Sequence, residues 1–171
     1  MTKYVAFLRA VNVSGNNMIS MSDLKLLCEN IGLRNVRTYI QSGNVLFESD
    51  LSEMALVNKL ERAVSEKIGR HIPTIIRTVK ELENIILHNP FPAANAAQVG
   101  ILLFSGPVPK DFSSDISTTG REEVVLGCRE VYIHYPDGMG RSKLKLPRKA
   151  NEETMRNMNT ISKLARMNAG G

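Results

Sequence analysis

The stretch of this sequence best suited to chemistry is a basic, glycine-containing run close to its C-terminal end. The run Pro136-Asp-Gly-Met-Gly-Arg-Ser-Lys143 combines two glycines with two cations and a hydroxyl. Backbone N–H groups exposed by glycines, together with Arg141, Ser142 and Lys143, are the donors and charges that an oxyanion such as phosphate needs. The G-x-x-x-x-G-K-[ST] spacing of a Walker A loop is absent, so an ordinary basic turn is an alternative interpretation.

A second set of polar residues falls on a C-terminal helix that we predict from about Asn151 to Met167. Four residues recur at i, i+3, i+4 and i+7 and therefore share one face of this helix: Arg156, Asn159, Thr160 and Lys163. The apolar residues of the segment point elsewhere. Asn and Thr between two cations make the polar face a candidate recognition surface, and a solvated face without a partner is the alternative.

Positive charge is concentrated in the last fifth of the chain. Residues 138–171 hold eight Lys or Arg against two acids, a balance of +6, whereas residues 1–137 hold fourteen against fifteen, a balance of −1. Such an asymmetry is typical of a surface for phosphate, nucleic acid or another anion, although a solvated tail has the same composition.

An enzyme site is a further hypothesis. It would gather Arg9, Asn12 and the turn Gln41-Ser42-Gly43-Asn44 with the 138–143 loop, between two subdomains. Against it, the sequence shows no paired carboxylates at a useful spacing and no nucleophile with an identifiable base. Ser42 precedes a glycine but lacks the G-x-S-x-G elbow of a hydrolase. The sequence therefore leaves open whether the protein is an enzyme.

The cysteines and histidines predict neither a metal site nor a disulfide framework. Cys28 and Cys128 are a hundred positions apart without a C-x-x-C motif, and no two of the three histidines have i, i+4 spacing: His71, His88 and His134. No cofactor is expected. No apolar run approaches the ~20 residues of a membrane span, and Arg9 and Asn12 interrupt the N-terminal apolar stretch that a signal peptide would need. We therefore expect a cytoplasmic protein without a membrane partner.

The first half of the chain predicts the element order βαββαβ. Its strands are Tyr4–Val11, Val36–Ile40, Asn44–Phe47 and Ile72–Thr78, and apolar stripes place helices at about 24–31 and 57–68. Gly43 supplies the positive φ that the turn between the second and third strands needs. Capping-box spacing marks three helix starts, at Ser20 with Asp23, Asp50 with Glu53, and Thr78 with Glu81. This order is the split βαβ, or ferredoxin-like, unit.

From residue 79 the predicted order is αβ(α)ββα. A helix stopped by Asn89-Pro90 leads to a strand at Val99–Phe104, a loop at 107–117 with one optional helical stretch, hairpin strands at 122–126 and 130–135, and the closing helix. This repeats the first half with its opening strand taken by, or shared with, the end of the first unit. We therefore predict an α+β protein of two ferredoxin-like subdomains with mainly antiparallel sheets, residues 1–78 and 79–171.

Motifs along nearly the whole chain point to one family. They are Tyr4-Val-Ala-Phe-Leu-Arg9, Asn12-Val-Ser-Gly15, Met21 with Leu24, Thr38-Tyr-Ile-Gln-Ser-Gly-Asn-Val45, Gly140-Arg-Ser-Lys-Leu144, and Arg156-Asn157 with Asn159-Thr160. Through them the chain resembles the DUF1697 family of bacterial proteins of unknown function. The resemblance implies two ferredoxin-like subdomains and no established activity. The chain departs from the family pattern at Ala10 and Ser14, where glycines are common, and at Met158, where tryptophan is common.

Three functions are compatible with these observations. The first is a binding module for an anionic ligand, either a phosphorylated small molecule or a nucleic-acid backbone. With no tryptophan and nine other aromatic residues, base stacking is poorly supplied, which favours phosphate contacts. The second is the enzyme described above, and the third is a scaffold protein that self-associates through a sheet edge. The identity of a ligand and the oligomeric state do not follow from the sequence.

Overall fold

The computed structural model describes residues 1–9, 19–39, 43–112, 120–139, 142, 144 and 153–169. Within these ranges the elements are β1 Thr2–Leu8, α1 Met21–Asn30, β2 Arg34–Tyr39, β3 Asn44–Ser49, α2 Glu53–Ile68, β4 Thr74–Thr78, α3 Val79–Leu87, β5 Val99–Phe104, β6 Glu123–Leu126, β7 Glu130–His134, β8 Glu153–Asn157 and α4 Met158–Ala169. None of the helices described is long and apolar enough to cross a bilayer.

The first sheet has the strand order β2-β3-β1-β4, and every neighbouring pair is antiparallel. The predicted βαββαβ order is confirmed. One face of this sheet packs against the apolar sides of α1 and α2, where Leu24, Cys28 and Leu60 are buried with Phe47 of β3 in one cluster. The helical stripes predicted from the sequence therefore form the core of this unit.

Local capping explains where the helices begin. The Ser20 hydroxyl accepts a hydrogen bond from the Asp23 N–H at 3.1 Å and starts α1 as predicted. The predicted box at Asp50 is wrong: Ser52 caps α2, because it directly precedes the helix and its hydroxyl accepts the Ala55 N–H at 3.2 Å. Before α3 the box is complete. The Thr78 N–H donates to the Glu81 carboxylate at 2.9 Å, and the Glu81 N–H donates to the Thr78 hydroxyl at 3.1 Å.

The second sheet has the strand order β6-β7-β5-β8 and is also antiparallel throughout. It has the same arrangement as the first sheet, so the α+β class with two subdomains is confirmed. The prediction of one long helix from about Asn151 is wrong, because residues 153–157 form β8 along the edge of β5 and the helix begins only at Met158. The second sheet therefore has its own fourth strand and shares none with the first unit.

The chain divides into two compact units, Met1–Leu82 with Leu164–Gly171, and Glu83–Lys163. The boundary after residue 78 stays a prediction from the sequence. In the second unit one face of the sheet buries Leu102, Phe104 and Ile133 together with Phe112. On the other face, the Tyr132 hydroxyl donates to the carbonyl of Ile85 in α3 at 2.9 Å, which ties this helix to the sheet.

Candidate functional site

One end of the first sheet brings the starts of two strands to the end of β1. The Leu8 N–H donates to the Gly43 carbonyl at 2.9 Å, and the Arg9 N–H donates to the Pro73 carbonyl at 2.9 Å. Gly43 has φ +83°, as predicted for the turn before β3. We call this end of the sheet, defined by Arg9, Gly43 and Pro73, the Arg9 edge.

Asn44 lies at the Arg9 edge but holds the hairpin together. Its side chain is fully buried, and Nδ2 donates to the Tyr39 carbonyl at 3.0 Å across the β2–β3 turn. In the sheet Asn44 is the partner of Phe7, two residues before Arg9. Asn44 therefore lies beside the end of β1 that leads to Arg9, and its amide donates to the backbone.

The Arg9 side chain is the most suggestive feature of this edge. It is half-buried, and its guanidinium makes no hydrogen bond or ion pair with the part of the chain that the structure describes. Glu61 of α2 directs its carboxylate to the start of β4 and to a histidine. It accepts the Thr74 N–H at 2.8 Å and lies 3.9 Å from Nε2 of His71. A guanidinium without such a partner is available to an anion supplied from outside the protein, which makes Arg9 a candidate anion ligand.

Three further residues of the predicted site, Asn12, Gln41 and Ser42, lie outside the described residues. By sequence they belong to the segments that follow Arg9 and precede Gly43.

In the predicted oxyanion loop, Ser142 is used in local hydrogen bonds. Its hydroxyl donates to a carboxylate oxygen of Glu122 at 2.7 Å and accepts the Leu144 N–H at 3.1 Å. The acid of this loop, Asp137, forms an ion pair with Arg121 at 2.5 Å. Arg141 and Lys143 lie outside the described residues. The hydroxyl proton of Ser142 is therefore directed to a carboxylate, which makes this serine a poor anion ligand.

Arg156 does not lie on a helix face, because it belongs to β8. It is buried, and Nη1 donates to the Thr154 hydroxyl at 3.0 Å and to the Met155 carbonyl at 2.9 Å. Burial lowers the pKa of the Arg156 guanidinium from 12.5 to about 10, which leaves it protonated at neutral pH. The predicted polar face is corrected accordingly.

Between residues 158 and 167 of α4 the exposed residues are Asn159 and Lys163, one turn apart, followed by Arg166. Thr160, the fourth residue of the predicted face, is buried, and its N–H donates to Oδ1 of Asn157 at 2.9 Å. Asn157 is thus the N-cap of α4. The sequence contained this signal, since Asn157 directly precedes the apolar periodicity of Met158 and Ile161.

The sequence interpretation missed a pocket of about 270 Å³ on the first unit, lined by Lys3, Asn35, Val36, Arg37, Leu46, Phe47 and Glu48. It lies where β2 bulges out of register between Arg34 and Arg37, with Asn35 at φ +50°. The Asn35 amide donates to the Glu48 carboxylate, and the Arg37 guanidinium donates to the Met167 carbonyl near the end of α4. Two of the three charged lining residues, Arg37 and Glu48, therefore have partners within the protein, which makes the pocket a weaker candidate anion site than the Arg9 edge.

The described residues contain no group of three or more His, Cys, Asp or Glu that could hold a metal ion. Cys28 is buried in the core of the first unit and Cys128 is exposed. Burial, and secondarily the neighbouring Glu29, raises the pKa of the Cys28 thiol from 9.0 to about 12, so this thiol stays protonated at neutral pH.

Comparison with known families matches residues 1–132 to the model described as "Protein of unknown function (DUF1697)". The chain belongs to the DUF1697 family. The matched part of this DUF1697 protein includes the whole first sheet with the Arg9 edge, and it ends before Ser142 and α4.

A structural relative supports the fold along the full length. The structure of a conserved bacterial protein from Streptococcus pneumoniae is similar to this DUF1697 protein with a TM-score of 0.81 and 24% sequence identity, over 97% of this chain and 98% of that one. At this identity the likeness shows the fold alone. No curated protein matches the chain.

Proposed function

We propose that this DUF1697 protein binds an anionic ligand at the Arg9 edge, with the Arg9 guanidinium as the principal contact. The observation that carries the proposal is the place of Arg9, a partly buried residue at the end of β1 whose guanidinium has no hydrogen bond or ion pair with another described residue. A guanidinium presents a planar fork of N–H donors that matches the oxygens of a phosphate or carboxylate. Polar residues on either side of this edge in the sequence, Asn12, Gln41 and Ser42, supply further donors.

A phosphorylated ligand is the form we favour over a stacked nucleic-acid base. The chain has no tryptophan, and base stacking depends on aromatic platforms. A phosphate group on a small molecule or along a nucleic-acid backbone needs only donors and positive charge. Arg141 and Lys143 remain a second proposed contact for the same class of ligand, whereas buried Arg156 does not face solvent.

A thermal-shift screen tests this proposal with inorganic phosphate, nucleoside phosphates, sugar phosphates and short oligonucleotides. A ligand at a hundred times its Kd stabilises a folded protein by about 2.7 kcal/mol. We expect at least one of these classes to raise the melting temperature, and we expect added salt to weaken the effect. Turnover of a ligand found in this screen would reveal an enzyme using the same edge.

Variants locate the site. Arg9→Ala should abolish the ligand-induced shift, and Arg9→Lys should weaken it, because an ammonium lacks the bidentate fork. Arg62→Ala is the matched control, since its side chain is 84% exposed and makes only a 3.9 Å ion pair with Glu66. An Arg141→Ala, Lys143→Ala double variant tests the second contact.

These variants distinguish binding at the Arg9 edge from binding in the pocket beside β2. A shift that survives in Arg9→Ala but disappears in Lys3→Ala would move the site to the pocket beside β2. If no anion of any class stabilises the protein, the binding proposal is wrong.

A further inference from the structure

The two sheets differ in how their outer strands meet solvent. In the first sheet, β2 is interrupted by the bulge between Arg34 and Arg37, and both arginines are exposed. Charges and bulges on an edge strand oppose pairing with another chain. The edge strands β4 and β8 are largely buried. In each of these three strands, pairing with a second molecule is therefore disfavoured.

The edge strand β6 has no bulge, and Glu123 at its first position is its one charged residue. Its sequence is Glu123-Val-Val-Leu126, and Val125 and Leu126 are 40% and 37% exposed. Its register with β7 is regular from Glu123 to Leu126. No described strand lies on its outer side, because β6 is the first member of the order β6-β7-β5-β8. A regular, exposed edge whose other three residues are apolar is a template for strand addition.

The hydrogen-bonding pattern shows which backbone groups of β6 point outward. The Gly127 N–H donates to the Glu130 carbonyl at 2.7 Å, which makes these two residues a hydrogen-bonded pair. Because such pairs alternate along an antiparallel ladder, Val125 and Glu123 also point their backbone groups toward β7. The N–H and C=O groups of Val124 and Leu126 therefore point away from the sheet.

The β5–β7 ladder gives the same result independently. The Tyr135 N–H donates to the backbone carbonyl of Gln98 at 2.8 Å, and the Phe104 N–H donates to the backbone carbonyl of Arg129 at 2.9 Å. The odd-numbered residues of β7 therefore bond to β5, which leaves the even-numbered ones to bond to β6.

We propose that two copies of this chain pair through antiparallel β6 strands, with Val125 at the two-fold axis. In this register Val124 of each copy lies opposite Leu126 of the other. The outward-pointing N–H and C=O groups of these two pairs can form four backbone hydrogen bonds between the copies. Glu123 then lies opposite Gly127, and no like charges face each other along the strand. Centring the axis on Val124 would instead set Val125 and Leu126 against acidic residues, Glu123 and Glu122. A two-fold interface is self-complementary, and β6 provides such a surface in a single strand.

Light scattering over a wide range of protein concentration tests the association. The monomer has a mass of 19.0 kDa, and we expect a species of twice that mass to grow with concentration. Leu126→Lys, present on both sides of the axis, should weaken dimerisation by more than about tenfold, because a lysine on an edge strand opposes pairing. Val124→Pro should do the same, since it removes an outward N–H that β7 does not use. Leu87→Lys on α3 is the matched control, because Leu87 is 77% exposed and belongs to a helix, not to the edge strand.

Disulfide cross-linking tests the register without destabilising substitutions. At the two-fold axis the Val125 Cα atoms would be about 4.5 Å apart, a distance within the range of a disulfide. In a Cys128→Ser background, Val125→Cys should form a covalent dimer on oxidation with diamide. Val124→Cys should not, since the diagonal separation is about 7–8 Å.

Three results would overturn the proposal. They are a protein that stays monomeric at every concentration and gives no Val125→Cys cross-link, a dimer that Leu126→Lys leaves intact, and cross-linking at position 124 in preference to 125. Circular dichroism of each variant confirms that a lost dimer is a folded monomer.

Discussion

Gly100→Ala is the substitution for which the structure predicts the clearest effect. Gly100 lies in β5, between Ile133 of β7 and Asn157 of β8. A Cβ at this position would lie 2.9 Å from Sδ of Met155, 3.0 Å from Cε2 of Tyr135 and 3.4 Å from Cε of Met139. Nonbonded carbon atoms attract best at about 3.5–4.0 Å. A single methyl group would therefore force at least two side chains away from the second sheet.

The loss of folding stability expected for Gly100→Ala depends on how easily the crowded side chains can move. Overpacking a close-packed site typically costs about 1–3 kcal/mol. Met155 can relax by rotating its flexible side chain, whereas the Tyr135 ring is rigid and buried, so we expect the middle of that range. In a chain of this size, each kcal/mol lowers the melting temperature by about 2–4 °C.

Urea and thermal denaturation of four variants measure this effect: Gly100→Ala, Gly106→Ala, Met155→Ala and the double variant with Gly100→Ala and Met155→Ala. Gly106→Ala is the matched control, because nothing lies within 4 Å of a Cβ there and its φ is not positive. It should be neutral or slightly stabilising, since alanine restricts the unfolded chain. Met155→Ala removes the nearest of these contacts, so Gly100→Ala should cost less stability in a Met155→Ala background than in the wild type, and the two changes should not be additive. If Gly100→Ala is as stable as the wild type, or if the double variant is strictly additive, the proposed crowding is wrong.

Two further predictions concern a helix cap and a buried thiol. Asn157→Ala should lower stability by about 1 kcal/mol, because α4 loses the N-cap acceptor of the Thr160 N–H; urea denaturation measures this, and Asn157→Asp should retain most of the stability. Ellman's reagent should modify exposed Cys128 in the native protein and reach Cys28 only after unfolding. Since the pKa of Cys28 is raised from 9.0 to about 12, the unfolded chain loses this proton before the folded one does, and stability should fall as pH rises between these values. Denaturation of Cys28→Val should show a smaller loss over the same pH range, and an equal loss would contradict the assignment to this thiol.

Local sequence patterns predicted the first unit well because the residues that give its helices and strands their periodicity are the same residues that fill its core. Leu24 and Cys28 recur at helical spacing and are both buried, and the Thr78–Glu81 box forms both of its hydrogen bonds. The sequence pointed to Asp50 instead of Ser52 as the cap, because Asp50 stands three residues before Glu53, which is the spacing of a capping box. Only the position of the first helical residue distinguishes these two alternatives, and capping patterns define that position poorly.

The strand β8 was missed for a different reason. Met155, Met158 and Ile161 have a spacing that suits a continuous helix, and residues 153–157 carry no strong β-pattern. Their strand conformation comes from pairing with β5, from Gly100 with Asn157 to Phe104 with Glu153. Pairing between residues so far apart in sequence leaves no local signal, and tertiary contacts override a weak helical preference.

The same strand changes the meaning of the C-terminal charge. Of the eight cations in residues 138–171, three belong to the described residues: Arg156, Lys163 and Arg166. Arg156 is buried and donates to Thr154 and Met155 within its own strand, whereas Lys163 and Arg166 are exposed on α4. A segment of +6 therefore does not form a single surface, because one of its charges stabilises a sheet from within. A net charge summed over the sequence counts buried and exposed cations alike. The pairing of β8 with β5 shows that Arg156 is one of the buried ones. Arg9, whose guanidinium has no hydrogen bond or ion pair with another described residue, is therefore a better candidate contact for an anionic ligand than the C-terminal segment as a whole.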